Sequence, residues 1–381
     1  MSFTIYENDV ILCTGENLLT HDLSSDTTNS FSLPKLAIDD NQKHHNNADM
    51  DAYHGITTIF TSTNGEYLGV CTNRKQLCVY ERPSRRLILN RTLARAASRA
   101  RFTPDNDIIV ADKSGDLYLY ENSENSENSG KLILGHLSML LDCLVTRNNR
   151  HVITTDRDEK IRVSCFPNAY NIVSYCLGHE KFVTAVKQLP QNEEILVSAG
   201  GDGQLKFWHY IQGKELLSFD FSDKIPAVEL ETLNESLKCF ELTESVKTLP
   251  VKHLRIQSLD EKLATLILSF YSSKRILVYF ISKNLELRYS ETLILEQEPL
   301  ECVLRKNELW ILDDEGLQLY TLEDDKFKVC ADRNKCLASL NDSWSVLRRS
   351  ANKQSLYPIL YKRKFDNVQE YQERKKSRLA T

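Results

Sequence analysis

A five-residue pattern that returns at a nearly constant interval sets the fold class of this chain. Alternating apolar residues ending on an aromatic, or on a substitute for one, occur six times, as LCVYE, LYLYE, IRVSC, LKFWH, ILVYF and LQLYT. The matching positions are Tyr80, Tyr120, Ser164, Trp208, Tyr279 and Tyr320, separated by 40, 44, 44, 71 and 41 residues. Alternation with period two marks strands, and a repeat of roughly 40–45 residues is the length of a four-stranded propeller blade. Each segment follows a turn and an earlier strand, as in DIIVADKSGDLYLY, HVITTDRDEKIRVS and EILVSAGGDGQLKFW. Gly and Asp in such turns tolerate positive φ and bond their own backbone, so the strand pairs read as hairpins. VILCTGENLLTHDL, two strands around Gly15, supplies a seventh blade. The expected fold is all-β: a seven-bladed β-propeller over residues 1–346, followed by a basic tail over 347–381.

Two stretches interrupt the count. Residues 24–52 are polar and aperiodic and are expected to be a disordered insertion between the first two blades. An acidic insertion over about 220–261, including VELETLNESLKCFELTE, accounts for the 71-residue gap. ENSENSENSG is low-complexity and reads as a solvated connection. With 41% hydrophobic residues over 381 positions, the chain can fill the core of one large closed β unit. No apolar run approaches the ~20 residues of a membrane span, and MSFTIYENDVILC has no basic leader. A soluble intracellular protein is expected, with its ten cysteines reduced, since no C-x-x-C pair is present.

Gly135-His136 and Gly178-His179, 43 residues apart and each upstream of a strand pair, resemble the WD-repeat family, whose blades carry Gly-His early and Trp-Asp late. The resemblance covers roughly residues 55–325. It implies a structural hydrogen-bonded network of His179, Ser198, Asp202 and Trp208, with a poorer version of His136 and Asp158 in the blade where Ser164 replaces the Trp. These residues imitate a Ser-His-Asp triad, but no G-x-S-x-G elbow accompanies them. Gly200-Gly201-Asp202-Gly203 precedes a strand, not the helix a phosphate cradle needs. No zinc signature occurs, and His44-His45 has no cysteine near it. No catalytic residue, metal or cofactor is assigned to the chain, and a binding or scaffold role is favoured.

Charge is unevenly placed. Residues 347–381 hold ten Lys or Arg against three Asp or Glu, a balance of +7 where the whole chain carries −5. Lys362, Arg363, Lys364, Arg374, Lys375 and Lys376 are the RNA-binding candidates, each phosphate contact adding salt-sensitive affinity. A nuclear-import signal or a solvated terminus is the alternative. Tyr357, Leu360, Tyr361 and Phe365 are candidates to dock back on the propeller rim. A second basic run has arginines at 82, 85, 86, 91, 95, 99 and 101. Some of these are expected to face solvent, where the guanidinium fork suits RNA phosphate or an acidic protein.

The wording of the third and fourth repeats is more specific. LGHLSMLLDCLVT, TTDRDEKIRVS and YCLGHEKFV, with ADKSGDLY upstream and LYKRKFDN downstream, closely resemble the non-catalytic WD-repeat subunit of tRNA (guanine-N7)-methyltransferase, the insect form above all. The resemblance implies a heterodimer with a separate catalytic subunit that carries S-adenosylmethionine and forms N7-methylguanine at position 46 in the tRNA variable loop. The propeller would stabilise that subunit and help seat tRNA. Partner-binding roles pass by resemblance to the turn Asp158, Glu159, Lys160 and Arg162, and to Lys113 in ADKSGDLY. Arg162 and Glu159 are expected to form charge-assisted pairs across the interface, with Lys113 and Lys160 at its rim. The plainer reading is that Asp158 only fixes the turn and Arg162 pairs within its own blade. The resemblance further implies nuclear location with some cytoplasmic protein, and a link to germ-cell differentiation. The competing function is a general WD-repeat adaptor, such as a substrate receptor of a ubiquitin ligase.

Overall fold

Four consecutive strands make each of seven antiparallel sheets, in a computed structural model that describes residues 3–35, 55–82, 84–123, 130–240, 242, 244–349 and 357–361. The sheets are the blades of a propeller. Their innermost strands are Phe3–Tyr6, Ile56–Thr61, Ala97–Phe102, Leu140–Val145, Val183–Leu189, Val251–Ser258 and Glu301–Arg305. Each neighbours the next, and the last adjoins the first, so the ring is closed.

The core is distributed over the seams between blades. Seven apolar clusters lie one at each seam. Because every middle strand is covered on both faces by adjacent blades, strict alternation gives way to nearly continuous burial, as in Leu263–Phe270 and Arg275–Ser282 of blade 6. Burial of this kind contributes about 25 cal/mol per Å² of apolar surface removed from water.

The first and last blades share no strand. Their seam is instead sealed by two helices that follow blade 7, Ala331–Lys335 and Ala338–Arg349. Leu337, Leu340 and Trp344 enter one apolar cluster with Phe3, Leu12 and Leu19 of blade 1 and Trp310, Leu312 and Leu317 of blade 7. The indole Nε1 of Trp344 donates to the Asp313 carbonyl at 3.0 Å, and Asn341 Oδ1 accepts from the Leu317 amide at 2.7 Å. Helical structure therefore runs through position 346, where the tail was expected to begin.

Both insertions are shorter than the sequence pattern indicates. Thr27–Ser32 is the outer strand of blade 1 and not part of a loop. Its one large apolar residue, Phe31, packs edge-on against Tyr80 with centroids 5.5 Å apart. An outer strand needs no second apolar face, which is why its polarity reads as loop. Residues 36–54 lie outside the described residues, as do 124–129 of the low-complexity connection. In the acidic stretch, Val251–Ser258 is the inner strand of blade 6, and Ala227–Leu237 is a helix that buries Leu233 and Leu237. Glu229 of that helix binds Arg275, Oε1 to Nε at 2.5 Å. No disulfide joins any of the ten cysteines.

The arginine-rich segment is mostly spent inside the molecule. Arg82 and Arg85 both hold Asp9 of blade 1, at 2.8 and 2.9 Å. Arg91 donates to the Ser123 carbonyl at 2.8 Å, and Arg99 and Arg101 face Asp142 on the propeller axis. Seam and axis pairing claims these five guanidinium groups, while Arg86 and Arg95 are exposed, as expected for part of the run.

Candidate functional site

Blade 4 begins on Leu140–Val145 and continues through His151–Asp156, Ile161–Cys165 and Ile172–Cys176. The turn Asp156–Lys160 joins its second and third strands. Asp156 Oδ1 accepts the amides of Asp158 and Lys160 at 2.9 and 3.0 Å, which closes the turn and puts Glu159 at a φ of 74°. The other oxygen of Asp156 takes His136 Nδ1 at 2.9 Å, and His136 Nε2 meets Thr154 Oγ1 at 2.8 Å. His136 is thus paired with Asp156, not Asp158. The carboxylate at the strand end lies directly under the imidazole, while Asp158 sits two residues along the turn. Burial acts to raise Asp156, but the His136 hydrogen bond and the Lys160 amide outweigh it and hold its carboxyl below the usual range.

In blade 5 the corresponding network is His179, Ser198, Asp202 and Trp208. His179 Nδ1 lies 2.7 Å from Asp202 Oδ2, its Nε2 lies 2.7 Å from Ser198 Oγ, and Trp208 Nε1 donates to that same Oγ at 2.8 Å. Trp208 is fully buried. Every polar atom of the set has a partner, so the arrangement holds a connection in place and leaves no activated nucleophile.

Arg162 departs from its expected role. It is buried at 9% exposure and donates twice within blade 4, Nε to Ser164 Oγ at 2.9 Å and Nη2 to the Ala169 carbonyl at 2.9 Å, and once to blade 3, Nη1 to the Gly135 carbonyl at 3.2 Å. Where blade 5 uses an indole, blade 4 has Ser164, and the guanidinium supplies the donor. These donors are spent inside the propeller, and its neighbours Ile161 and Val163 are fully buried. Strand alternation signals an outward side chain only where one sheet face is open, and in a propeller both faces are covered.

The remaining candidates stay at the surface and converge. Lys113 is exposed on the turn after Ile108–Asp112 of blade 3. Gly115, at a φ of 102°, closes that turn so tightly against the connection to blade 4 that a Cβ would lie 2.5 Å from the His136 carbonyl oxygen. Leu137, beside it, is fully exposed. On the far side of His136 stand Glu159, half-buried, and Lys160, exposed with its Nζ 3.4 Å from the Asp158 carbonyl. Pairing of Ile161 with Cys176 sets Lys160 beside Leu177, and Tyr175 lies opposite Arg162. Leu132, Leu137, Ile172, Tyr175 and Leu177 are all exposed, on the outer strands of blades 3 and 4 and the connections that follow them, and supply apolar side chains to the propeller rim there. Composition gave no signal for this rim, since single apolar residues on outer strands look like ordinary strand alternation.

A cleft of about 410 Å³ opens beside the turn, lined in part by Arg157, Glu159, Glu180, Lys181, Phe182 and Tyr361. Residues 357–361 cross this face: Leu360 is buried against Met139 and Phe182, and the rings of Phe182 and Tyr361 meet edge-on at 5.2 Å. Lys362, Arg363, Lys364, Phe365, Arg374, Lys375 and Lys376 lie outside the described residues, as do His44 and His45. Among the described residues, no three His, Cys, Asp or Glu side chains converge as a metal site.

Comparison with known proteins gives a consistent result. Residues 119–313 match the family model described as the tRNA methyltransferase TRM82 WD40 domain. The chain is 32% identical over 340 residues to the tRNA (guanine-N(7)-)-methyltransferase non-catalytic subunit wdr4 of Xenopus laevis, covering 86% of this chain and 82% of that one. It is 32% identical over 354 residues to the non-catalytic subunit wuho of Drosophila melanogaster, covering 85% and 74%. The human subunit WDR4 is 29% identical over 365 residues, covering 93% and 85%. Among solved structures, a chain of the mitotic checkpoint complex superposes with a TM-score of 0.63 at 14% identity, over 83% of this chain and 88% of that one. That likeness is one of fold.

Proposed function

The chain belongs to the family of non-catalytic subunits of tRNA (guanine-N(7)-)-methyltransferase, and from that membership we propose that it docks and stabilises a separate catalytic subunit in a heterodimer. In this proposal the catalytic subunit carries S-adenosylmethionine and forms N7-methylguanine at position 46 of the tRNA variable loop, while the propeller contributes no chemical step. The observation that carries the docking site is the apolar rim Leu132, Leu137, Ile172, Tyr175 and Leu177 flanked by Lys113, Glu159 and Lys160. Exposed apolar side chains grouped on one edge and bordered by charge have the composition of an interface centre with a polar rim. The fixed turn around Asp156 pre-orients Glu159 and Lys160, so little order has to be imposed on binding.

Seating of tRNA belongs to the same proposal, through the basic tail that follows Tyr361. Residues 357–361 anchor the start of that tail on the face that carries Glu159. We place the protein in the nucleus, with some in the cytoplasm, on the charge of the tail.

Co-expression with the catalytic subunit tests the reading. A 1:1 complex is expected on size exclusion, and the double variant Leu137→Asp, Leu177→Asp is expected to weaken it at least tenfold while leaving the melting temperature of the free propeller unchanged. A complex indifferent to both substitutions removes the rim as the docking site. Methyl transfer to tRNA by the purified chain alone overturns the non-catalytic role.

A further inference from the structure

The propeller axis holds more positive charge than its own residues neutralise. Asp142, 1% exposed on the inner strand of blade 4, is held by Arg101 Nη2 at 2.7 Å and Arg99 Nε at 3.3 Å, and accepts the Val186 amide at 3.1 Å. Across the axis Glu301, also 1% exposed, is paired with Arg255 and lies 3.3 Å from His253 Nε2. Lys187, on the inner strand of blade 5, stands between these pairs. Its ammonium makes no hydrogen bond or ion pair among the described residues, and its electrostatic neighbours are Arg101, Arg255, Asp142 and Arg99. Among the described residues, two carboxylates thus answer the four cations Arg99, Arg101, Arg255 and Lys187.

These cations surround a cavity of about 280 Å³, whose wall includes Thr58, Thr61, Arg99, Arg101, Lys187 and Arg255. Its position on the axis is fixed by the inner strands of blades 1 to 6, each of which contributes to the wall. The end of the channel near Met139, Leu141, Phe182 and Tyr271 is stoppered by Leu360. The cavity lies toward the other end, where Thr61, Phe102 and Val145 terminate their strands. The buried Nε of Arg101 has no hydrogen-bond acceptor. Burial, compounded by Arg101 and Arg255, pushes the Lys187 ammonium well below its ordinary value, as expected of a cation denied an anion.

We propose that the axial cavity is a binding site for a compact oxyanion carrying phosphate-like charge, held by Lys187 together with Arg99, Arg101 and Arg255. Guanidinium groups match tetrahedral oxyanions through paired N–H donors, and the lysine adds a point charge. Threonine hydroxyls of blade 2 offer neutral donors on the same wall. The volume falls just below that of drug-sized ligand sites, roughly 300–1,000 Å³, which favours a phosphate group over a peptide or a nucleic-acid strand.

Calorimetric titration of the full chain with inorganic phosphate, and separately with ATP, tests the site, with sodium chloride at matched ionic strength as the reference. Saturable binding is expected in the wild type and a loss of at least tenfold in affinity in Lys187→Met. Phosphate binding as tightly as ATP assigns the free ion; binding of ATP alone assigns the phosphate chain of a larger molecule; both support the site. No binding of either probe at millimolar concentration, or equal binding by Lys187→Met, overturns it. Because Lys187→Met alters the fold's interior, Lys187→Glu provides a second reading in phosphate-free buffer. A carboxylate supplied in place should melt higher than the methionine variant, and a lower melting temperature counts against an unmet demand for negative charge.

Discussion

The Nε of Arg162 donates to Ser164 Oγ at 2.9 Å, which makes the guanidinium an internal strut of blade 4. Arg162→Ala strands the buried Ala169 carbonyl and Ser164 hydroxyl and leaves a cavity. Lost hydrogen bonds of this kind cost about 1–3 kcal/mol per buried group left unsatisfied, so the variant should lower the urea midpoint substantially. Arg162→Lys should recover only part, because an ammonium cannot span three acceptors set in a planar fork. Full recovery by lysine would show that charge, and not geometry, is what blade 4 requires.

Stability should depend on acid in a defined direction. Burial tends to raise Asp142, but Arg101, Arg99 and Lys187 outweigh it and hold its carboxyl far below the usual range; Asp202 is lowered chiefly by His179 against its own burial. The folded carboxyls titrate below the unfolded value of about 3.9. Their contribution is therefore complete above that value and lost as pH falls through the folded one. Urea midpoints should hold between neutral pH and about 5 as far as these groups are concerned, then drop. Asp142→Asn should cost about 3–5 kcal/mol at neutral pH, the usual cost of removing one partner from a buried pair, and should flatten the acid limb.

Trp344 is the test of ring closure. It is 1% exposed and contacts the seam from a helix outside both blades. Trp344→Ala should destabilise the fold by about 3–5 kcal/mol, the range for a buried aromatic cut to alanine. Hydrogen exchange should rise first in Phe3–Tyr6 and Glu301–Arg305. Uniform exchange over all seven blades would mean that the seam is no weaker than the others.

Lys113, exposed on the turn that Gly115 closes against His136, should act on encounter more than on residence. Lys113→Glu is expected to slow association with the catalytic subunit and to change its salt dependence, with little effect on dissociation, as is typical of a charge at an interface edge. A dominant effect on dissociation, measured by surface plasmon resonance, would place Lys113 at the buried centre instead.

The blades were legible because their spacing repeats: Tyr80, Tyr120, Ser164, Trp208, Tyr279 and Tyr320 all fall on third strands. Turns were legible through Gly and Asp. Orientation was not. Arg162 and Arg101 sit in strands that read as amphipathic, yet a side chain's surroundings depend on the neighbouring blade, which is some 40 residues away. The role of Asp156 rather than Asp158 turns on which oxygen reaches His136, a matter of turn geometry that two aspartates in one tripeptide leave open. The helix carrying Trp344 was not legible because ASLNDSWSVLRR offers only a narrow apolar stripe beside a run of basic residues.

Sealing the ring with Ala338–Arg349 in place of an exchanged strand sets an order of events during synthesis. Blade 1 is made first, yet Phe3, Leu12 and Leu19 receive their cover only after Trp344 has left the ribosome. Until then an apolar edge stays open on the nascent chain, and a premature stop anywhere before that helix leaves an unfinished circle.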